Sequence, residues 1–210
     1  MFIQNRLRSK FKQFSQVAPS SGLSGAEVAK KMLNDNGIYD VQVTSVPGQL
    51  SDHYNPLTKT VNLSEDVFYG RSVAAAAIAA HECGHAVQHD TAYTWLTLRS
   101  KLVPVVQISS RYVQWVLLGG ILMINTFPQL LLIGICIFAL TTLFSFVTLP
   151  VEFDASNRAI AWINKSGIMA NVDNGKVKNL LGWAASTYVV AAVSALATLL
   201  YYIMIFNNRR

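Results

Sequence analysis

The sequence predicts a mainly α-helical integral membrane protein, with about three transmembrane helices and a small α+β domain on one side of the bilayer. Three observations predict it. Of 210 residues, 52% are hydrophobic and only 13% are charged, about half the charged fraction of an ordinary soluble domain. Residues 112–151 run forty positions without a charge, and residues 182–206 run twenty-five. Two cysteines are too few for a disulfide scaffold, and a chain this apolar is not intrinsically disordered.

The net charge of +6 does not mark a nucleic-acid binder, because the basic residues are not gathered with aromatics on one surface. Arg6, Arg8, Lys10 and Lys12 crowd the first twelve positions, and Arg99, Lys101, Arg111, Arg158, Lys176, Lys178, Arg209 and Arg210 flank apolar stretches. That placement reads as membrane topology.

Taken in order, residues 1–21 form a basic amphipathic segment. Its charges interrupt any signal-peptide core, and Ile3, Leu7, Phe11 and Phe14 share one helical stripe suited to the headgroup layer. Residues 22–103 form the small α+β domain, read as catalytic on the motif described below. Ser24-Gly25-Ala26-Glu27 is a capping box opening a helix that closes near Asn36-Gly37, with Val28, Met32 and Leu33 on its buried face. Two β-prone runs follow, 41–46 and 58–63, joined through Pro47-Gly48 and Asp52-His53-Tyr54-Asn55-Pro56.

Residues 104–149 form a transmembrane hairpin. Forty helical residues are about twice the hydrocarbon thickness of a bilayer, and Asn125-Thr126-Phe127-Pro128-Gln129 supplies the turn. The first span starts between Pro104 and Ser109, with Arg111 snorkelling, and the second covers about 130–149. Residues 150–180 return to the starting side as a helix, and residues 181–210 form a C-terminal transmembrane helix with Trp183, Tyr201 and Tyr202 near its ends. An even number of crossings puts residues 1–101 and 152–179 in the same compartment, which the basic flanks make cytoplasmic.

The chemistry lies at His81-Glu82-Cys83-Gly84-His85, directly after the helix-forming run Val73-Ala74-Ala75-Ala76-Ala77-Ile78-Ala79-Ala80. Histidines at i and i+4 lie one above the other on a helix face and can converge on one Zn²⁺. Glu82, about 100° round the helix, reaches the water that such an ion activates and serves as general base. A catalytic zinc takes a third protein ligand. His89 shares the stripe but lies about 12 Å further along the axis, which suits a rim or supporting role. Glu152 is the better candidate, being the first charge after the uncharged run; Asp154 is the alternative, on the other side of that helix. Ser156, four residues after Glu152, can hydrogen-bond a ligand from the same face. Small residues Ala79, Ala80 and Gly84 leave room for another element to approach.

The stretches Gly22-Leu23-Ser24-Gly25-Ala26-Glu27-Val28-Ala29, Asp52-His53-Tyr54-Asn55-Pro56, Gly70-Arg71-Ser72, Ala80-His81-Glu82-Cys83-Gly84-His85-Ala86-Val87-Gln88-His89 and Leu149-Pro150-Val151-Glu152-Phe153-Asp154-Ala155-Ser156 resemble, in this order, the YugP-type neutral zinc metallopeptidases of bacterial membranes. The resemblance implies a zincin-like fold of gluzincin type, with His81, His85 and Glu152 as ligands of Zn²⁺ and Glu82 as base. It implies a membrane-bound endopeptidase of the bacterial cell membrane acting on peptides or membrane proteins. Family members begin with a transmembrane helix ahead of the basic segment, inside which this chain starts. Related gluzincins carry Asp four residues after the ligand Glu, where this chain has Ser156.

A substrate strand is expected to add to a sheet edge supplied by residues 58–63. His53 or Tyr54 can donate to the oxyanion, the alternative being an ordinary turn role. The competing functional reading is a membrane scaffold with a structural zinc site, which needs a fourth protein ligand that the sequence does not supply.

Overall fold

The computed structural model describes residues 2–172 and 174–208, and the side chains of residues 2–4 and 174 are left undescribed; Arg209 and Arg210 lie outside the described residues. The elements are α1 (Phe2–Phe14), α2 (Gly25–Asp35), β1 (Gln42–Val46), β2 (His53–Asn55), β3 (Thr60–Ser64), α3 (Glu65–Phe68), α4 (Val73–Asp90), α5 (Thr94–Leu122), α6 (Gln129–Ser166) and α7 (Asn174–Asn207). They fall into two compact units, one formed by the chain up to Tyr93 with Val151–Thr187, the other by Thr94–Pro150 with the chain from Tyr188 onward.

In the first unit, α2 opens with the expected capping box. Ser24 Oγ accepts from the Glu27 amide at 3.3 Å, and the Glu27 carboxylate accepts from the Ser24 amide at 2.7 Å. These bonds satisfy two of the donors that a helix start leaves free. The helix ends at Asn36, and Gly37 takes φ +76°, a left-handed conformation that costs glycine little. Val28, Ala29, Met32 and Leu33 are buried against α4. A Cβ on Gly25 would lie 2.2 Å from the Val67 carbonyl oxygen, so only glycine lets α2 start this close to α3.

The sheet corrects the sequence reading in two respects. Asp52-His53-Tyr54-Asn55-Pro56, expected as a connection, contributes β2. The strand order is β1-β3-β2, with β1 parallel and β2 antiparallel to β3. The run expected at 58–63 therefore occupies the centre of the sheet, where both its edges are paired, and no substrate strand can add to it. Burial explains the order, since Val61 and Leu63 are fully buried. The Asp52 carboxylate accepts from the Ser64 amide at 2.8 Å and its hydroxyl at 3.0 Å, fixing the step from β3 into α3.

The end of the N-terminal stripe packs on protein. Phe14 is buried in the core of this unit and Phe11 packs against it, with α1 lying on α4. Phe11 and Phe14 thus cover part of the protein's own core.

Helix α4 starts at Ser72, whose hydroxyl accepts from the Ala75 amide at 3.2 Å. Ala74, Ala75, Ala76, Ala77, Ala79 and Ala80 are all buried, so neighbours crowd this helix on every side. Beyond Pro150, α6 returns to the same unit, where Trp162 donates to the Asp35 carboxylate of α2 at 3.0 Å.

In the second unit, Val113, Leu117, Leu131 and Ile135 form a buried cluster. The helices touch through glycine: a Cβ on Gly120 would lie 2.5 Å from the Leu131 Cα, the small-residue contact typical of helices packing in lipid. Phe138 meets Tyr202 edge to face at 6.0 Å. The break between α5 and α6 covers residues 123–128 and overlaps the turn expected at Asn125 to Gln129. Among the described residues two helices, α6 and α7, are long and apolar enough to cross a membrane. Helix α5 starts earlier than the expected first span and runs through Pro104, carrying Arg99, Lys101 and Arg111.

Candidate metal centre

One turn of α4 separates His81 from His85, and their rings meet edge to face with centroids 4.9 Å apart. Helix α6 delivers Glu152 to them. Its Oε2 lies 3.3 Å from His81 Nε2 and 3.6 Å from His85 Nε2. Among the described residues this is the one group of three or more His, Cys, Asp or Glu side chains that could hold a metal ion, with ligand atoms within 4.8 Å of one another. The approach depends on Gly84, where a Cβ would lie 2.6 Å from the Ala155 carbonyl oxygen. No other residue lets α6 come so near.

Burial makes the constellation chemically specific. Glu152 is 2% exposed and His85 8%, so the carboxylate and imidazoles have little water to answer their charge and lone pairs. Burial by itself would push the His85 imidazole down, but hydrogen bonding and charge attraction from Glu152 outweigh it and hold His85 above the usual imidazole range. A positive charge is wanted between these groups. A four-coordinate zinc with bonds of about 2.0–2.1 Å sets its ligands roughly 3.3–3.4 Å apart, and both imidazole-to-carboxylate separations lie close to that value. Two nitrogens and one oxygen are also a donor set that zinc takes.

Glu82 follows His81 on α4 and is buried at the site, close enough for its charge to act on His85. Ser156 Oγ shares a 3.2 Å hydrogen bond with His81 Nδ1. Asp154 stands outside the cluster; its Oδ2 accepts from Gln88 Nε2 at 2.8 Å and from Arg158 Nε at 2.6 Å. His89 is also outside, sharing a 2.9 Å hydrogen bond between its Nδ1 and the Tyr54 hydroxyl. That bond ties the end of α4 to β2. His53 is exposed, donating from Nδ1 to Ser51 O at 2.8 Å and accepting from Asn62 Nδ2 at 3.3 Å.

The residue that sequence reasoning missed is Gln88. It is fully buried, with Oε1 3.0 Å from His85 Nδ1 and Nε2 donating to Val151 O and Asp154 Oδ2, both at 2.8 Å. The available signal was an uncharged polar residue three positions after the second histidine of H-E-x-x-H, on the face where α4 buries its apolar neighbours.

The family model described as "Putative neutral zinc metallopeptidase" matches residues 1–207. "Putative membrane protease YugP" of Bacillus subtilis (strain 168) is 44% identical over 207 residues, covering 99% of this chain and 91% of the relative. No solved structure matches. Zn²⁺ is the cofactor that this similarity implies, and His81, His85 and Glu152 form a site that could hold it.

Proposed function

The chain belongs to the neutral zinc metallopeptidase family, and from that premise we propose that it is a membrane-bound endopeptidase in which His81, His85 and Glu152 hold zinc and Glu82 moves the proton. The observation that carries the reading is the convergence, largely buried, of two imidazole nitrogens from the H-E-x-x-H helix with a carboxylate oxygen from α6.

When bound, zinc supplies a Lewis acid and lowers the pKa of water to near 7. The protein's own part is acid–base work and positioning. Glu82, next to a ligand on the same rigid helix, accepts the proton of the attacking water and passes it to the leaving amine nitrogen. Three protein ligands leave a fourth position for water and substrate, which a structural site would fill with a fourth side chain. The substrate is an extended peptide whose backbone adds to the outer edge of β2, the strand that packs against α4. Tyr54 on β2 is the donor for the oxyanion in the tautomer where His89 Nδ1–H donates to its hydroxyl, which leaves the phenolic O–H free.

Helices α6 and α7, together with the 104–122 portion of α5, make three crossings. The basic residues around them favour a cytoplasmic catalytic side in a bacterial cell membrane. Substrates are peptides or membrane proteins.

The test compares the purified chain with Glu82→Gln for bound zinc and for cleavage of an unfolded, casein-like substrate. Equal zinc with cleavage reduced about 10²- to 10⁴-fold is expected. Equal cleavage in both proteins would overturn the proposal.

A further inference from the structure

We infer that Gln88 is a positioning residue that fixes the tautomer of His85, and that Asp154 and Arg158 hold Gln88 in the one orientation that does so. The inference rests on the zinc-site reading above for its purpose, though not for its geometry.

The argument starts at the far end of the network. Arg158 Nε donates to Asp154 Oδ2 at 2.6 Å, with the guanidinium 5.8 Å from the centre of the Tyr93 ring. Asp154 is thereby held as an acceptor, as a carboxylate beside a guanidinium must be. Gln88 faces that carboxylate oxygen and the Val151 carbonyl, each at 2.8 Å. Neither of these can donate a proton, so the amide nitrogen of Gln88 must lie toward them, and both of its N–H bonds are used. Flipping the amide of the fully buried Gln88 would set its oxygen against two other oxygens.

With the nitrogen committed, the amide oxygen is left facing His85 Nδ1 at 3.0 Å. A carbonyl oxygen only accepts, so Nδ1 carries the proton. With Nδ1 protonated, Nε2 is the nitrogen left to bind a metal; in the metal-free protein that same Nε2 faces the Glu152 carboxylate at 3.6 Å, which favours a second proton there. A histidine ligand is set in this way by the hydrogen bond that its other nitrogen makes. Here the partner is an amide three residues along the same helix, aimed by a carboxylate and a carbonyl from α6. The same residues of α6 that bring Glu152 to the site therefore also orient His85.

Selective ¹⁵N labelling of the four histidines in the full chain makes this testable, using tautomer-sensitive nitrogen shifts recorded in detergent with the pH raised until the His85 signals stop changing. The zinc-free chain is expected to show His85 protonated on Nδ1, assigned by loss of its signal in His85→Asn. Gln88→Met, of similar length and apolar, should populate the Nε2–H form and lower zinc affinity about 10- to 100-fold in a chelator competition. An Nε2–H His85 in the unsubstituted chain, or an unchanged tautomer in folded Gln88→Met, would overturn the assignment. A chain that binds no zinc at all but shows the Nδ1–H form would overturn the metal-site reading while upholding the role of Gln88.

Discussion

Gly84 and Ala155 face each other so closely that a methyl group on the first would lie 2.6 Å from the carbonyl oxygen of the second. This contact is between backbones, so it cannot be relieved by turning a side chain. Gly84→Ala is therefore expected to destabilise the fold by about 1–3 kcal/mol and to weaken zinc binding, since α6 must move with Glu152 on it. Gly182→Ala, in helix α7 with nothing within 4 Å of the added carbon, should be neutral or stabilising by up to about 1 kcal/mol. Thermal unfolding and chelator competition on both variants check the pair, and equal behaviour would refute the close-packing argument.

Glu152→Ala is expected to lower zinc affinity by at least about 100-fold, because it removes one of three donors rather than a supporting contact. His89→Ala should leave zinc content unchanged, since His89 bonds Tyr54 and stands outside the donor cluster. Metal analysis of the two purified variants separates these outcomes, and the reverse pattern would transfer the third ligand to His89.

The zinc-free protein should carry a pH signature from His85. Its folded value is raised by Glu152 against the effect of burial, so the stability it contributes is fully present below the unfolded imidazole value of about 6.5. That contribution is lost as pH rises through the folded value. In a chelator, the unfolding temperature should thus fall from about pH 6 upward on account of this group. Added zinc, which needs the neutral ring, should stabilise more strongly over the same rise. A zinc effect that shrinks with rising pH would contradict the placement of Glu152 against His85.

Cys83 gives a test of the packing of α2 on α4. Its thiol is buried and meets the Ala29 carbonyl at 3.5 Å. Burial, and after it the charge of Glu82, push the thiol well above its usual range, so the reactive thiolate is suppressed. In a Cys136→Ala chain, a maleimide at pH 8 should label Cys83 only after denaturation. Rapid labelling of the native protein would show that the two helices are not packed as described.

The local signals in the chain were legible because each rests on near-neighbour chemistry. Ser24 and Glu27 cap α2, Gly37 closes it, and the histidine spacing places two imidazoles on one face of α4. What escaped was set by distant partners. His53-Tyr54-Asn55 is short and polar and is a strand only because Thr60, Val61 and Asn62 pair with it. Phe11 and Phe14 have the same helical stripe whether a headgroup layer or a protein core receives them, and α4 decides the matter. Gln88 belongs to no motif, and its meaning depends on Val151 and Asp154, which the chain reaches only after the whole apolar hairpin.

That separation bears on when the site comes into being. His81 and His85 leave the ribosome early, and Glu152 follows only after the forty uncharged residues between 112 and 151 have been made. A nascent chain stopped before Glu152 holds two of the three donors and lacks the α6 residues that orient His85 through Gln88. On the membrane reading, the chain has threaded its hairpin into the bilayer by the time the last donor arrives. The candidate site is then incomplete until the hairpin has been made, with the rest of α6 and the whole of α7 still to follow, and on that reading the order of the chain keeps the three donors apart until the hairpin has met its membrane.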